Sequence, residues 1–167
     1  MIIHMIRTSL LALLFLTAIG HAQLFLGTGA SFISDAEYGG LNIRGQFDLF
    51  NTGDGKTTVC PNISQYRLNT DVSRFEMNLD FHNMLGEPKP FMGYLIAGLR
   101  YDLDVTGISS QTTTSEGDLG LNIGMGIQYT FIENLKFYIE GKYLGGREFN
   151  GFLIGTGIAA AFGKRKK

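Results

Sequence analysis

Residues 118–131, Asp-Leu-Gly-Leu-Asn-Ile-Gly-Met-Gly-Ile-Gln-Tyr-Thr-Phe, carry a large apolar side chain at every second position. Leu119, Leu121, Ile123, Met125, Ile127, Tyr129 and Phe131 share one face of an extended strand, and Asp118, Gly120, Asn122, Gly124, Gly126, Gln128 and Thr130 share the other. From Leu119 to Phe131 such a strand covers roughly 40 Å, and a tilt of about 45° leaves roughly 28 Å along a membrane normal. That is enough to cross the hydrocarbon of a bilayer.

The same alternation recurs along the chain, at about Leu24–Ile33, Gly40–Phe50, Lys56–Leu68, Ser73–His82, Phe91–Asp104, Leu135–Leu144 and Gly151–Phe162, with no run of helical period. In the second of these, Leu41, Ile43, Phe47 and Leu49 oppose Asn42, Arg44, Gln46 and Asp48; in the fourth, Phe75, Met77, Leu79 and Phe81 oppose Arg74, Glu76, Asn78, Asp80 and His82. The weakest segment is Lys56–Leu68, where Pro61 is expected at an edge, an end or a bulge because it has no N–H to give a ladder. Short turns at Asn51–Gly55, Gly86–Pro90 and Ile132–Asn134 would lie at one end. The connections near Asp35–Gly39, Asn69–Val72, Val105–Gly117 and Gly145–Asn150 would lie at the other. Eight strands of roughly ten residues predict an all-β, eight-stranded, antiparallel up-and-down transmembrane β-barrel.

The beginning of the chain supplies a route to a membrane. Arg7 precedes the apolar run Leu10–Leu16, and Gly20 and Ala22 lie three and one positions before Gln23, the small-residue spacing that a signal peptidase reads. Residues 1–22 are therefore expected to be a cleaved signal peptide, residues 23–163 the barrel and residues 164–167 a basic tail. No cysteine follows the cut, which excludes lipid attachment there. Loss of Arg7 leaves 13 Lys and Arg against 15 acids, a net charge of −2 that makes nucleic acid an unlikely partner. Cys60 is the only cysteine, so an exported chain has no internal disulfide.

Alternation is symmetric under inversion: a soluble lipocalin-like barrel with an apolar cavity has the same period. The membrane version is favoured because the apolar faces carry no charge and Tyr101, Tyr129, Phe131, Tyr143 and Phe162 lie near strand ends, where aromatic girdles sit. Gly120, Gly124 and Gly126 also suit a crowded lumen better than an exposed sheet face. The segments Gly40–Gly45, Phe75–Asp80, Lys89–Phe91, Gly120–Gly126 and Tyr138–Tyr143 resemble the bacterial outer-membrane β-barrel family, of the small OmpA/OmpX-like eight-stranded kind, over essentially the whole mature chain. The resemblance implies insertion by the outer-membrane barrel-assembly machinery. It also highlights a departure, since Phe162 is followed by Gly163-Lys164-Arg165-Lys166-Lys167 where such chains often end on an aromatic residue.

Inward parity falls to Arg44, Arg74, Arg100, Lys136 and Lys142 and to Asp48, Glu76, Asp80, Asp102, Asp104 and Glu140, with signs that nearly cancel. Eight strands enclose only enough room for side chains, and buried charges must be paired, so a salt-bridged structural plug is expected. His82, the only histidine after cleavage, shares that face, whereas outer-membrane lipid hydrolases react on the lipid side; no serine stands in a nucleophile motif. Glycine pairs such as Gly124-Met125-Gly126 lie inside strands rather than opening helices, and no Cys/His spacing suits a metal. No cofactor is expected. The longest polar connection, with Ser109, Gln111, Thr113 and Glu116, is the candidate surface loop for an extracellular ligand of unknown identity. The expectation is a non-enzymatic outer-membrane barrel with a structural or surface-interaction role. The alternatives are a narrow conduit or binder for small apolar molecules, or a soluble lipocalin-like binder.

Overall fold

A computed structural model of the chain describes residues 24–34, 39–52, 55–70, 72–86, 90–106, 114–147 and 150–162. They form eight strands: β1 Leu24–Ile33, β2 Gly40–Thr52, β3 Gly55–Arg67, β4 Val72–Leu85, β5 Phe91–Thr106, β6 Thr114–Ile132, β7 Leu135–Gly145 and β8 Asn150–Phe162. Each pairs antiparallel with its sequence neighbours, and β8 returns to β1 with Leu24 opposite Phe162 and Ile33 opposite Leu153. Closure removes every sheet edge within the barrel wall, so the backbone satisfies itself without water. The expected signal peptide, residues 1–22, and the basic tail lie outside the described residues.

Which face points outward is settled by burial. Leu41, Ile43, Leu119, Leu121, Ile123, Met125, Phe152 and Ile154 are each more than 60 % exposed, while Arg44, Glu76, Asp80, His82, Arg100 and Lys142 are buried. A barrel folded for water would reverse this polarity. The lipocalin-like alternative, with its apolar cavity and charged exterior, is thereby overturned. Aromatic contacts gather at both rims of the outer wall. Phe91, Tyr129 and Phe131 touch in succession near the short turns, the first pair tilted and the second edge-on, with ring centroids 4.5 and 4.7 Å apart, and Tyr143 meets Phe152 at 5.3 Å near the opposite end.

Several strand limits differ from expectation. β6 begins at Thr114 rather than near Asp118, because Thr114–Gly117 pair with Thr106–Leu103 of β5 and carry the hairpin beyond the apolar belt. Glu116 and Gly117, on opposite faces, are both exposed there, so the sequence loses its alternation and reads as loop. β4 continues to Leu85, past the outward polar residue Asn83. Pro61 is at neither an end nor a bulge. It sits within β3 opposite Leu79 of β4, and pairing with β2 skips Gly45 and Gln46 beside it before resuming at Phe47 and Val59. A proline lacks a donor toward only one neighbour, and the second neighbour holds the strand in place. The register shifts lie elsewhere, between Asp48 and Phe50 and between Thr130 and Ile132.

Candidate functional site: the barrel lumen

Cross-strand register stacks the inward side chains in rows. One row contains Asp80, Gly98 and Asn122; the next contains Asn62, Asn78, Arg100 and Gly120. Large and absent side chains alternate because the lumen has no room for two large ones abreast. A Cβ on Gly98 would run into the Asp80 carboxylate, one on Gly120 would lie 2.9 Å from Arg100 Nη2, and one on Gly126 would enter the Tyr94 ring.

At mid-height the charges interlock. Arg44 Nη2 donates to Glu140 Oε2 at 2.9 Å, and Lys142 Nζ donates to Asp80 Oδ2 at 2.9 Å while standing 3.7 Å from Glu140 Oε1. Two cations thus meet two anions. Around them Asn122 Nδ2 donates to Asp80 Oδ1 at 2.9 Å and to Asn78 Oδ1 at 2.6 Å. Asn78 Nδ2 donates to Asn62 Oδ1 at 2.8 Å and to Glu76 Oε1, and Asn62 Nδ2 donates to Asp80 Oδ2 at 3.2 Å. The amides and Asp80 form a closed ring. Tyr94 donates its hydroxyl to Glu140 at 3.2 Å, Tyr138 donates to Asn42 at 2.9 Å, and the Arg44 guanidinium lies 4.1 Å from the Tyr138 ring centre. Charge-assisted bonds between groups buried this deeply are stronger than the same bonds in water.

The remaining inward charges sit away from this centre. Toward the loop end Arg74 makes a two-pronged pair with Asp104, both bonds 2.7 Å, and Arg100 Nη2 lies 3.1 Å from Asp102 Oδ2. Toward the turn end Asp48 pairs with Lys56 at 2.6 Å, half-buried, and Lys136 lies over the Phe25 ring at 3.6 Å. His82 Nδ1 faces Cys60 Sγ at 3.4 Å and its ring stacks on Tyr94 at 4.6 Å. Cys60 is fully buried. Among the described residues, no group of three or more His, Cys, Asp or Glu side chains is placed to hold a metal ion.

Sequence reasoning missed two features of the lumen. The first is the amide ring itself, whose Asn62, Asn78 and Asn122 all have inward parity but bear no charge to draw attention. The second is a pair of apolar caps. Ile33, Tyr66, Leu144 and Leu153 pack together at the loop end, and Met84, Met92, Tyr94 and Ile96 pack together at the turn end. Their parity was the available signal: Met92, Tyr94 and Ile96 alternate with the outward Phe91, Gly93 and Leu95. Of the candidate loop residues, Ser109, Gln111 and Thr113 lie outside the described residues. Glu116 belongs to strand β6, opposite Asp104, and not to a loop.

A closed eight-stranded barrel with an apolar wall and a buried polar lumen is the architecture of the transmembrane barrel class. Solved barrels of that architecture are similar to this chain in fold. The N-terminal β-barrel domain of Pseudomonas aeruginosa OprF shares 20% identity at a TM-score of 0.65, over 84% of this chain and 97% of that one. Neisserial surface protein A shares 13% at 0.61 over 84% and 96%, and Ail, the attachment invasion locus protein of Yersinia pestis, 13% at 0.58 over 84% and 97%. No family model matches the sequence, and comparison with curated proteins finds no match.

Proposed function

We propose that the chain is an integral outer-membrane barrel with a structural or surface-interaction role and no catalytic activity, exported through cleavage of residues 1–22 and inserted by the barrel-assembly machinery. The observation that carries this reading is the inverted polarity, with an uncharged apolar belt outside and an interlocked polar network inside. The fold shared with OprF, surface protein A and Ail supports it. Binding of any extracellular ligand falls to the connections at the loop end. The apolar caps above and below the Arg44–Glu140–Lys142–Asp80 network weigh against a conduit, because ions would have to displace both packed layers and paired charges.

The test is gel mobility of residues 23–167, extracted from outer membranes in detergent, with and without boiling. A heat-dependent shift is expected, with no porin-sized conductance from the same material in planar bilayers. Protein that stays soluble without detergent, or stable channels above background, would refute the membrane barrel and the plugged lumen respectively.

A further inference from the structure

The outer wall is not uniformly filled. Phe81, Ala97, Ile123 and Tyr143 form one cross-strand row, and Leu79, Leu99, Leu121 and Gly145 form the row nearer the loops. The first row dips at Ala97 and the second at Gly145. Beyond Gly145 the wall steps down altogether, because β7 ends opposite Leu121 while β6 continues seven residues further, from Gly120 back to Thr114, with only β5 beside it. These dips merge into a furrow of about 910 Å³ on the outer face of β4–β7. Its lining is aliphatic and aromatic over most of its length and ends at the loop end on Arg147 and Asn150.

The polar end of the furrow is organised. Tyr143 donates its hydroxyl to Asn150 Oδ1 and the Gly146 amide donates to the same oxygen, both at 3.4 Å, which sets Asn150 beside the aromatic girdle. Arg147 stands exposed just above it. An apolar trough in a lipid-facing wall, with an exposed arginine in its lining at the end beside Tyr143 and Asn150, matches one chemistry: an acyl chain joined to an anionic phosphate. Guanidinium groups bind phosphate oxygens in pairs, and aromatic girdles mark the depth at which headgroups lie.

We propose that this furrow holds one phospholipid of net negative charge, with an acyl chain along Ala97, Leu121 and Ile123 and its phosphate on Arg147. The site rests on the membrane reading above. A flexible chain fills a shallow, irregular trough that offers few polar anchors, whereas a protein partner needs a wider, shaped surface. A zwitterionic lipid such as phosphatidylcholine sets its own choline cation beside its phosphate, which weakens the contact with Arg147, and so exchanges freely.

The experiment uses native mass spectrometry of residues 23–167 released from nanodiscs containing either phosphatidylcholine alone or phosphatidylcholine with a minor share of phosphatidic acid. One retained phosphatidic acid per barrel is expected. Arg147→Gln should lower that retention about tenfold, the loss of one charge-assisted contact. Ala97→Phe, which fills the trough without touching Arg147, should lower it independently, and both variants should keep the heat-dependent gel shift. Equal retention of the two lipids, or retention unchanged in both variants, would overturn the site while leaving the membrane barrel intact. So would a dimer that Ala97→Phe dissociates, since the furrow would then belong to a second copy. Loss of the gel shift in the unaltered chain would instead refute the barrel reading on which the site depends.

Discussion

Asp80→Ala tests whether the lumen is a dry, paired network. Asp80 has no exposed surface, and its carboxylate accepts hydrogen bonds from Lys142, Asn122 and Asn62 at 2.9, 2.9 and 3.2 Å. Truncation leaves a buried ammonium whose nearest remaining anion is Glu140 Oε1 at 3.7 Å, an oxygen on a carboxylate already engaged by Arg44. Breaking a buried pair from one side costs about 3–5 kcal/mol. With a urea dependence of about 2 kcal/mol per molar, the unfolding midpoint in lipid vesicles should fall by about 2 M. The double variant Asp80→Ala/Lys142→Met removes the orphaned charge along with its partner. It should therefore be more stable than Asp80→Ala alone, with a coupling energy of about 2 kcal/mol or more. Urea midpoints by circular dichroism, taken for the full cycle, decide the matter. An Asp80→Ala cost below about 1 kcal/mol, or strictly additive single changes, would mean that water already solvates these charges and that the lumen is not sealed.

Three further outcomes follow from the same geometry. Gly126→Val places a branched side chain inside the Tyr94 ring envelope and should destabilise the barrel by about 1–3 kcal/mol, with partial recovery in Gly126→Val/Tyr94→Leu, both read as urea midpoints. The Cys60 thiol, with no exposed surface, should resist an aromatic disulfide reagent in the folded barrel and react with one equivalent after unfolding; rapid reaction in the folded state would show the lumen open to solutes. Met125→Arg, at the centre of the outward Leu119–Phe131 run, should cost about 2–4 kcal/mol in vesicles, as a charge near the hydrocarbon midplane does, whereas Glu116→Gln on the protruding hairpin should stay within about 0.5 kcal/mol. Equal costs at the two positions would place the membrane elsewhere on the wall.

Strand number, order and the face of almost every inward or outward residue were legible because one physical rule governs them all. Each wall residue meets either lipid or lumen, so period 2 persists wherever the strand crosses the belt. The rule lapses where that contrast lapses. Thr114–Gly117 extend β6 past the belt, and the alternation stops although the ladder continues. At the two ends of the lumen it lapses differently, since Met84 and Met92 at one end and Leu144 at the other are apolar with inward parity because they pack within the two apolar caps. A reading that equates inward with charged therefore finds the middle of the lumen and overlooks its caps.

Partnership inside the lumen was not legible, for a geometric reason. Parity states that Arg44 and Glu140 both point inward, but they are 96 residues apart, on strands β2 and β7, and meet only because the barrel closes. Which cation reaches which anion depends on the height of each row and on the glycines that open space across it, as Gly98 does beside Asp80. Register is thus what turns a list of inward charges into a network. A shift of two residues in β4 or in β7 alone would preserve every parity and leave the outer wall equally apolar, yet would separate Asp80 from Lys142 by nearly 7 Å along the strand. The buried ion pairs add little net stability over apolar packing, but they penalise such slips heavily, because each slip strands charges in a dry interior. On this argument the polar lumen selects one register among several that the lipid-facing surface alone would accept. That gives a plugged barrel a reason to keep charges at its centre even where nothing passes through it.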